Sequence, residues 1–126
     1  MSGCKRKSAL AIAIATFLLV SIGGAAAAGA FAVGACGAYG YGYDFSKAAN
    51  ARLAAMKKCS GKDCRIIGII GRGCAAVSVD AKNPCGPYGW AIESHLGKAE
   101  NASMRRCYQY GGRECMVRAW ACDERG

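Results

Sequence analysis

The chain is 126 residues long, carries a formal charge of +9 and contains nine cysteines. That length accommodates one domain with a modest core and leaves little room for a second. Its basic residues are scattered, with no run of four, which argues against a dedicated nucleic-acid surface.

Lys5, Arg6 and Lys7 precede an apolar run from Ala9 to Ile22 and the small-residue stretch Gly23 to Ala28. These are the three regions of a secretory signal, so residues 1–28 are expected to be a signal peptide cut before Gly29, with Ala25 and Ala27 serving nearly as well. An uncleaved anchor competes, because the apolar stretch continues to Ala35, but so much Gly and Ala is poor anchor material. Val33-Gly34-Ala35-Cys36 loosely resembles a lipidation box, without the usual leucine and placed late. Loss of Cys4 with the leader leaves eight cysteines, an even number suited to an oxidising compartment, whereas lipidation of Cys36 would strand one. The expected location is exported, either periplasmic or secreted. From Gly29 onward, 14 Lys and Arg face 8 Asp and Glu, a charge of +6 that favours acidic partners.

An internal repeat organises the remainder. Cys36-Gly-Ala-Tyr-Gly returns as Cys85-Gly-Pro-Tyr-Gly. Lys47-Ala-Ala-Asn-Ala, running through Met56-Lys-Lys to Cys59, is echoed by Lys98-Ala-Glu-Asn-Ala, running through Met104-Arg-Arg to Cys107. Cys64 and Cys115 then open apolar runs ending at Cys74 and Cys122. Ala30 to Val33 and Ala75 to Val79 read as first strands. Tyr39, Tyr41, Tyr43 and Phe45 alternate with Gly40, Gly42 and Asp44, and Tyr88, Trp90 and Ile92 alternate with Gly89, Ala91 and Glu93, the period of a second strand. A helix follows, N-capped by Ser46 and rich in alanine from Ala48 through Met56. Lys57, Lys58, Arg105 and Arg106 lie in the last helical turns, where cations complement the carbonyl end of the dipole. Third strands run from Arg65 to Arg72 and from Met116 to Ala121.

The expected fold class is α+β: two β-β-α-β repeats (29–73 and 74–126) in one domain, forming a mainly antiparallel six-stranded sheet about a pseudo-twofold axis, with two helices packed on it. Gly29-Ala-Phe-Ala-Val, Gly37-Ala-Tyr-Gly-Tyr, the alanine-rich helix ending at Cys59, Cys64-Arg-Ile-Ile, Cys74-Ala-Ala-Val and Trp120-Ala-Cys122 occur in an order that resembles the bacterial exported domain of unknown function 4189 family. The resemblance implies an exported αβ repeat domain with no established activity and no catalytic residues to carry over. It also marks Cys36 and Cys85 as additions to the family's usual cysteines.

Eight cysteines allow 105 connectivities. Repeat logic suggests Cys59 with Cys64 and Cys107 with Cys115, each stapling a helix end to the next strand. Cys36 with Cys85 and Cys74 with Cys122 would then join the halves, and Cys59 with Cys74 stays open as an alternative. The four- and seven-residue gaps fit zinc poorly, and pairs at helix C-termini disfavour a thiolate, so neither metal nor cofactor is expected. His95 is the single histidine, and adjacent Ser94 and His95 would point apart on a strand. With the carboxylates dispersed, no catalytic site is assigned.

The informative feature is the aromatic stripe. Its default place is the core beneath the helices, with glycine outside. The alternative sets glycine against alanine under the helix and leaves Tyr39, Tyr41, Tyr43 and Trp90 as a binding face for an acidic envelope polymer or a protein. The expectation is thus a non-enzymatic binding or envelope-associated protein. A secreted inhibitor or effector-like protein, and a hydrolase with an unrecognised site, are the competing readings. Asn101-Ala102-Ser103 matches a glycosylation acceptor but lies inside the second helix, and is set aside.

Overall fold

A computed structural model describes residues 28–123; the expected signal peptide, up to its last residue, and residues 124–126 lie outside them. The first half comprises β1 (Ala28–Val33), β2 (Tyr39–Phe45), α1 (Ala48–Lys58) and β3 (Arg65–Ile70); the second comprises β4 (Cys74–Asp80), β5 (Tyr88–Glu93), α2 (Leu96–Gln109) and β6 (Cys115–Cys122). A single 3-10 turn, Ala35–Gly37, links β1 to β2. The repeat β-β-α-β order is therefore present in both halves.

The sheets correct one expectation. There are two antiparallel three-stranded sheets, ordered β2-β1-β3 and β5-β4-β6, instead of one of six strands. β1 and β4 each take both neighbours from their own half, and among the described residues no ladder joins the edge strands of the two halves, which meet face to face. What remains for each sheet is a face. Residues of β1 and β4 alternate, so Phe31 and Val33 meet Ala75 and Val77 in a core between the sheets. Fully burying a side chain such as Phe31 contributes about 2–3 kcal/mol.

The opposite faces carry the helices. Ala30 and Ala32 lie against Ala51 and Ala55 of α1, and Cys74 and Ala76 against Ala99 of α2. These outer layers are built from small side chains that bury little area each, so the helices sit close but gain modestly from burial. α1 starts after Lys47, not Ser46, and its N-cap makes no side-chain hydrogen bond. In α2, Ser103 donates to the Glu100 carbonyl (2.8 Å), which leaves Ser78 of β4 to donate to the Ser103 hydroxyl (2.7 Å). Ser103 is wholly buried there.

Four disulfides complete the frame: Cys59–Cys64 and Cys107–Cys115 close loops of 5 and 8 residues, while Cys36–Cys85 and Cys74–Cys122 span 49 and 48 residues and tie the halves together. In loop-closure terms the long pair are worth about 4 kcal/mol each and the short pair about 2. Such a disulfide set is consistent with an exported protein. Among the described residues, no helix is long and apolar enough to cross a membrane.

Candidate functional site

β2 reads Tyr39-Gly-Tyr-Gly-Tyr, so its two faces differ completely. The glycine face lies under α1: a Cβ on Gly40 would stand 2.2 Å from the Ala55 carbonyl oxygen and 2.5 Å from the Cys59 amide nitrogen. The second half repeats the contact, with a Cβ on Gly89 falling 2.4 Å from the Ser103 carbonyl oxygen and 2.5 Å from the Cys107 nitrogen. Only a residue without a side chain admits helix backbone that close. The default placing of aromatics beneath the helices is thereby overturned, and the tyrosines face the other way, toward the second sheet.

There they form a ladder with Phe31, whose ring stacks on Tyr39 at 6.5 Å and on Tyr41 at 6.3 Å, while Tyr41 and Tyr43 lie 5.9 Å apart. Tyr39 and Tyr41 are half-buried at the margin of the central core, and Tyr43 is 50% exposed. Trp90 does not join them. It lies on β5 in the other sheet, packed against the core, with the Arg106 guanidinium 5.7 Å from its ring.

The strand facing β2 is β6, and a bulge sets what it presents. Val77 pairs with Ala119 and Ser78 with Val117, so Arg118 is left without a partner in the ladder. A bulge re-aims its extra side chain. The Arg118 guanidinium lies 5.5 Å from the Tyr39 ring, and its Nε donates to the Gly37 carbonyl at 3.2 Å. From the end of α1, the Lys58 ammonium lies 5.3 Å from the Tyr41 ring. Neither cation is ion-paired among the described residues.

Two clefts of about 660 and 480 Å³ share Tyr39, Tyr41 and Arg118 and so make one open groove along β2. Glu100 and Trp120 border it on the α2 side: Trp120 pairs with Ala76, whose face of the sheet lies under α2, and is 50% exposed. Sequence reasoning missed Arg118, Trp120 and Glu100, and gave Lys58 only a helix-end role. The available signal was Arg118, the one charge in an otherwise apolar strand.

The equivalent seam on the other side, between β3 and β5, is finished differently. Its bulge residue is Ile67, since Phe31 pairs with Gly68 and Ala32 with Ile66. Ile67 and Ile92 both pack onto the central core, and Ile92 Cδ1 occupies the space 2.3 Å from where a Gly68 Cβ would stand. Towards the Cys36–Cys85 end, Arg65 donates to the Tyr88 hydroxyl at 3.0 Å beside a cleft of about 470 Å³. His95 is the exposed N-cap of α2 and makes no side-chain capping bond. Among the described residues, no three His, Cys, Asp or Glu side chains converge as a metal site would require.

These features define a small, disulfide-stapled α+β repeat domain with an open aromatic groove along β2. The family follows from the whole chain: residues 28–122 match the domain of unknown function DUF4189, and the protein belongs to that family. No curated protein and no solved structure matches it.

Proposed function

We propose that this protein is a non-enzymatic binding module of the periplasm or the secreted space, and that it takes an extended polymer in the groove between β2 and β6. The observation that carries this reading is the contrast between two seams made from equivalent strands. One is filled along its middle by Ile67 and Ile92 and keeps a cleft of about 470 Å³ towards its Cys36–Cys85 end. The other keeps an open groove lined by Tyr39, Tyr41, Tyr43, Arg118 and Trp120. Duplication supplies the isoleucine-filled stretch as an internal control, so the groove running along β2 is a departure that packing alone does not call for. The shape favours a chain over a compact ligand, because a seven-residue strand such as β2 offers about 23 Å of length.

The test is to titrate the isotope-labelled, exported domain with polymer fractions from a bacterial envelope and follow backbone amide resonances. Shifts confined to β2, β6 and the end of α1 are expected. Shifts centred on β3 and β5, or on the Ser94–His95 junction with release of product, would refute the reading.

A further inference from the structure

We infer that the polymer is an acidic glycan whose carboxylates are held by Arg118 and Lys58 and whose sugar rings stack at Tyr43. This rests on the seam being a binding groove and adds the chemistry of the ligand.

The charges come first. Arg118 reaches the groove through a bulge, and its Nε is already committed to the Gly37 carbonyl. That bond fixes the plane of the guanidinium and leaves its outer nitrogens as a fork for a planar carboxylate. Lys58 adds a second cation over the neighbouring tyrosine of the ladder. Side chains two residues apart on one strand face are separated by about 7 Å, so the two cations address successive positions of an extended chain. Neither is ion-paired within the described residues, and Glu100 borders the same cleft from α2.

The rings decide between polyanions. A single-stranded nucleic acid is held by stacking bases on open aromatic faces. Here the faces of Tyr39 and Tyr41 are covered by Arg118 and Lys58. What these two tyrosines retain is the phenol hydroxyl, a donor and acceptor suited to a hydroxyl-rich chain. Tyr43, 50% exposed, keeps apolar surface in the groove for the flat side of a sugar. Few charges, several hydroxyls and a single apolar platform describe a glycan with intermittent carboxylates better than a uniformly charged phosphodiester.

The experiment measures binding of the intact, disulfide-bonded domain to oligogalacturonate, a neutral dextran oligomer of equal length and oligo(dT), by calorimetry and Trp fluorescence. Oligogalacturonate is expected to bind at least tenfold more tightly than either comparator, with affinity falling as salt rises. Arg118→Gln and Lys58→Gln should each weaken it about tenfold and Tyr43→Ala should weaken it without removing the salt dependence. An unchanged circular dichroism spectrum and melting temperature identify the variants that report on binding. Equal affinity for the neutral oligomer, or tighter binding of oligo(dT), overturns the acidic-glycan assignment while leaving the groove in place. Binding of none of the three probes overturns the assignment as well, and if amide resonances of β2 and β6 also stay still with envelope fractions, the groove reading falls with it.

Discussion

The seam between β2 and β6 and the seam between β3 and β5 start from the same parts: a second strand with alternating aromatics, a third strand with one bulge, and a helix whose last turn lays a cation on an aromatic ring. Lys58 over Tyr41 and Arg106 over Trp90 are the same contact made twice. The divergence lies at the bulge, where Arg118 stands in one seam and Ile67 in the other. An isoleucine there is drawn into the core, whereas a guanidinium must keep polar partners and so stays at the edge. Together with Ile92 standing where the first half has Tyr43, the residue at this irregular backbone position separates the isoleucine-filled seam from the one that keeps a groove. Layers under strong steric constraint stay alike in both halves, and the layer free to vary carries the candidate function.

The largest expected effect tests the constrained layer. Gly40→Ala and Gly89→Ala each place a methyl group against helix backbone that has no room to yield. Each is expected to destabilise by about 3 kcal/mol, the upper range for overpacking, as measured by urea unfolding of the oxidised protein. The comparison predicts near-equal losses, and a large inequality would show that the halves are not packed alike.

A second change sharpens the difference between the seams. Arg118→Ile with Tyr43→Ile copies the closed seam onto the open one. Because both positions are at the groove edge, stability should move by no more than about 1 kcal/mol, while binding of an acidic oligomer should fall about a hundredfold. The reverse exchange, Ile92→Tyr, pushes a larger ring against Gly68 and is expected to destabilise by about 1–3 kcal/mol. Retained affinity in the first variant would place the binding face elsewhere.

Much of this architecture was legible because it depends on local period and on repetition. Tyr39-Gly-Tyr-Gly-Tyr can only be a two-faced strand, and recurrence of Cys36-Gly-Ala-Tyr-Gly as Cys85-Gly-Pro-Tyr-Gly announces two equivalent halves. Which face is covered was not legible, since it turns on whether small residues of a helix come close enough to exclude a Cβ, a property of the pair of elements. Sheet number was hidden for a related reason: a strand pattern gives the faces of β1 and β4 but not the ownership of their edges. Tyr39, Tyr41 and Tyr43 fall together because one strand carries them. Trp90 parts from them because the second sheet turns the equivalent strand to the opposite seam. Arg118 and Trp120 went unnoticed because a bulge shifts a strand's alternation by one residue, and no periodic reading anticipates where that happens.

The smallest expected effect belongs to the second half alone. Asp80, at the end of β4, accepts hydrogen bonds from the Arg113 amide (3.0 Å) and the Lys82 amide (2.9 Å), tying two loops together. In the first half Gly34 stands at the end of β1, where a Cβ would meet Cys64 Sγ at 2.7 Å and the Lys62 carbonyl oxygen at 2.8 Å, so no side chain can do this work there. The amides, with that of Arg113 foremost, favour the carboxylate and hold its pKa below the ordinary value of 3.8. A carboxylate with a lowered folded pKa contributes stability that is complete above its unfolded pKa and is lost as pH falls through the folded one. Acid unfolding of the wild type should accordingly steepen below about pH 4, and Asp80→Asn should be less stable at neutral pH yet converge with the wild type near pH 2. Convergence is the decisive observation: parallel curves over the whole acid range would mean that the loop tie does not depend on the charge of Asp80, and that the two halves differ at this point in shape alone.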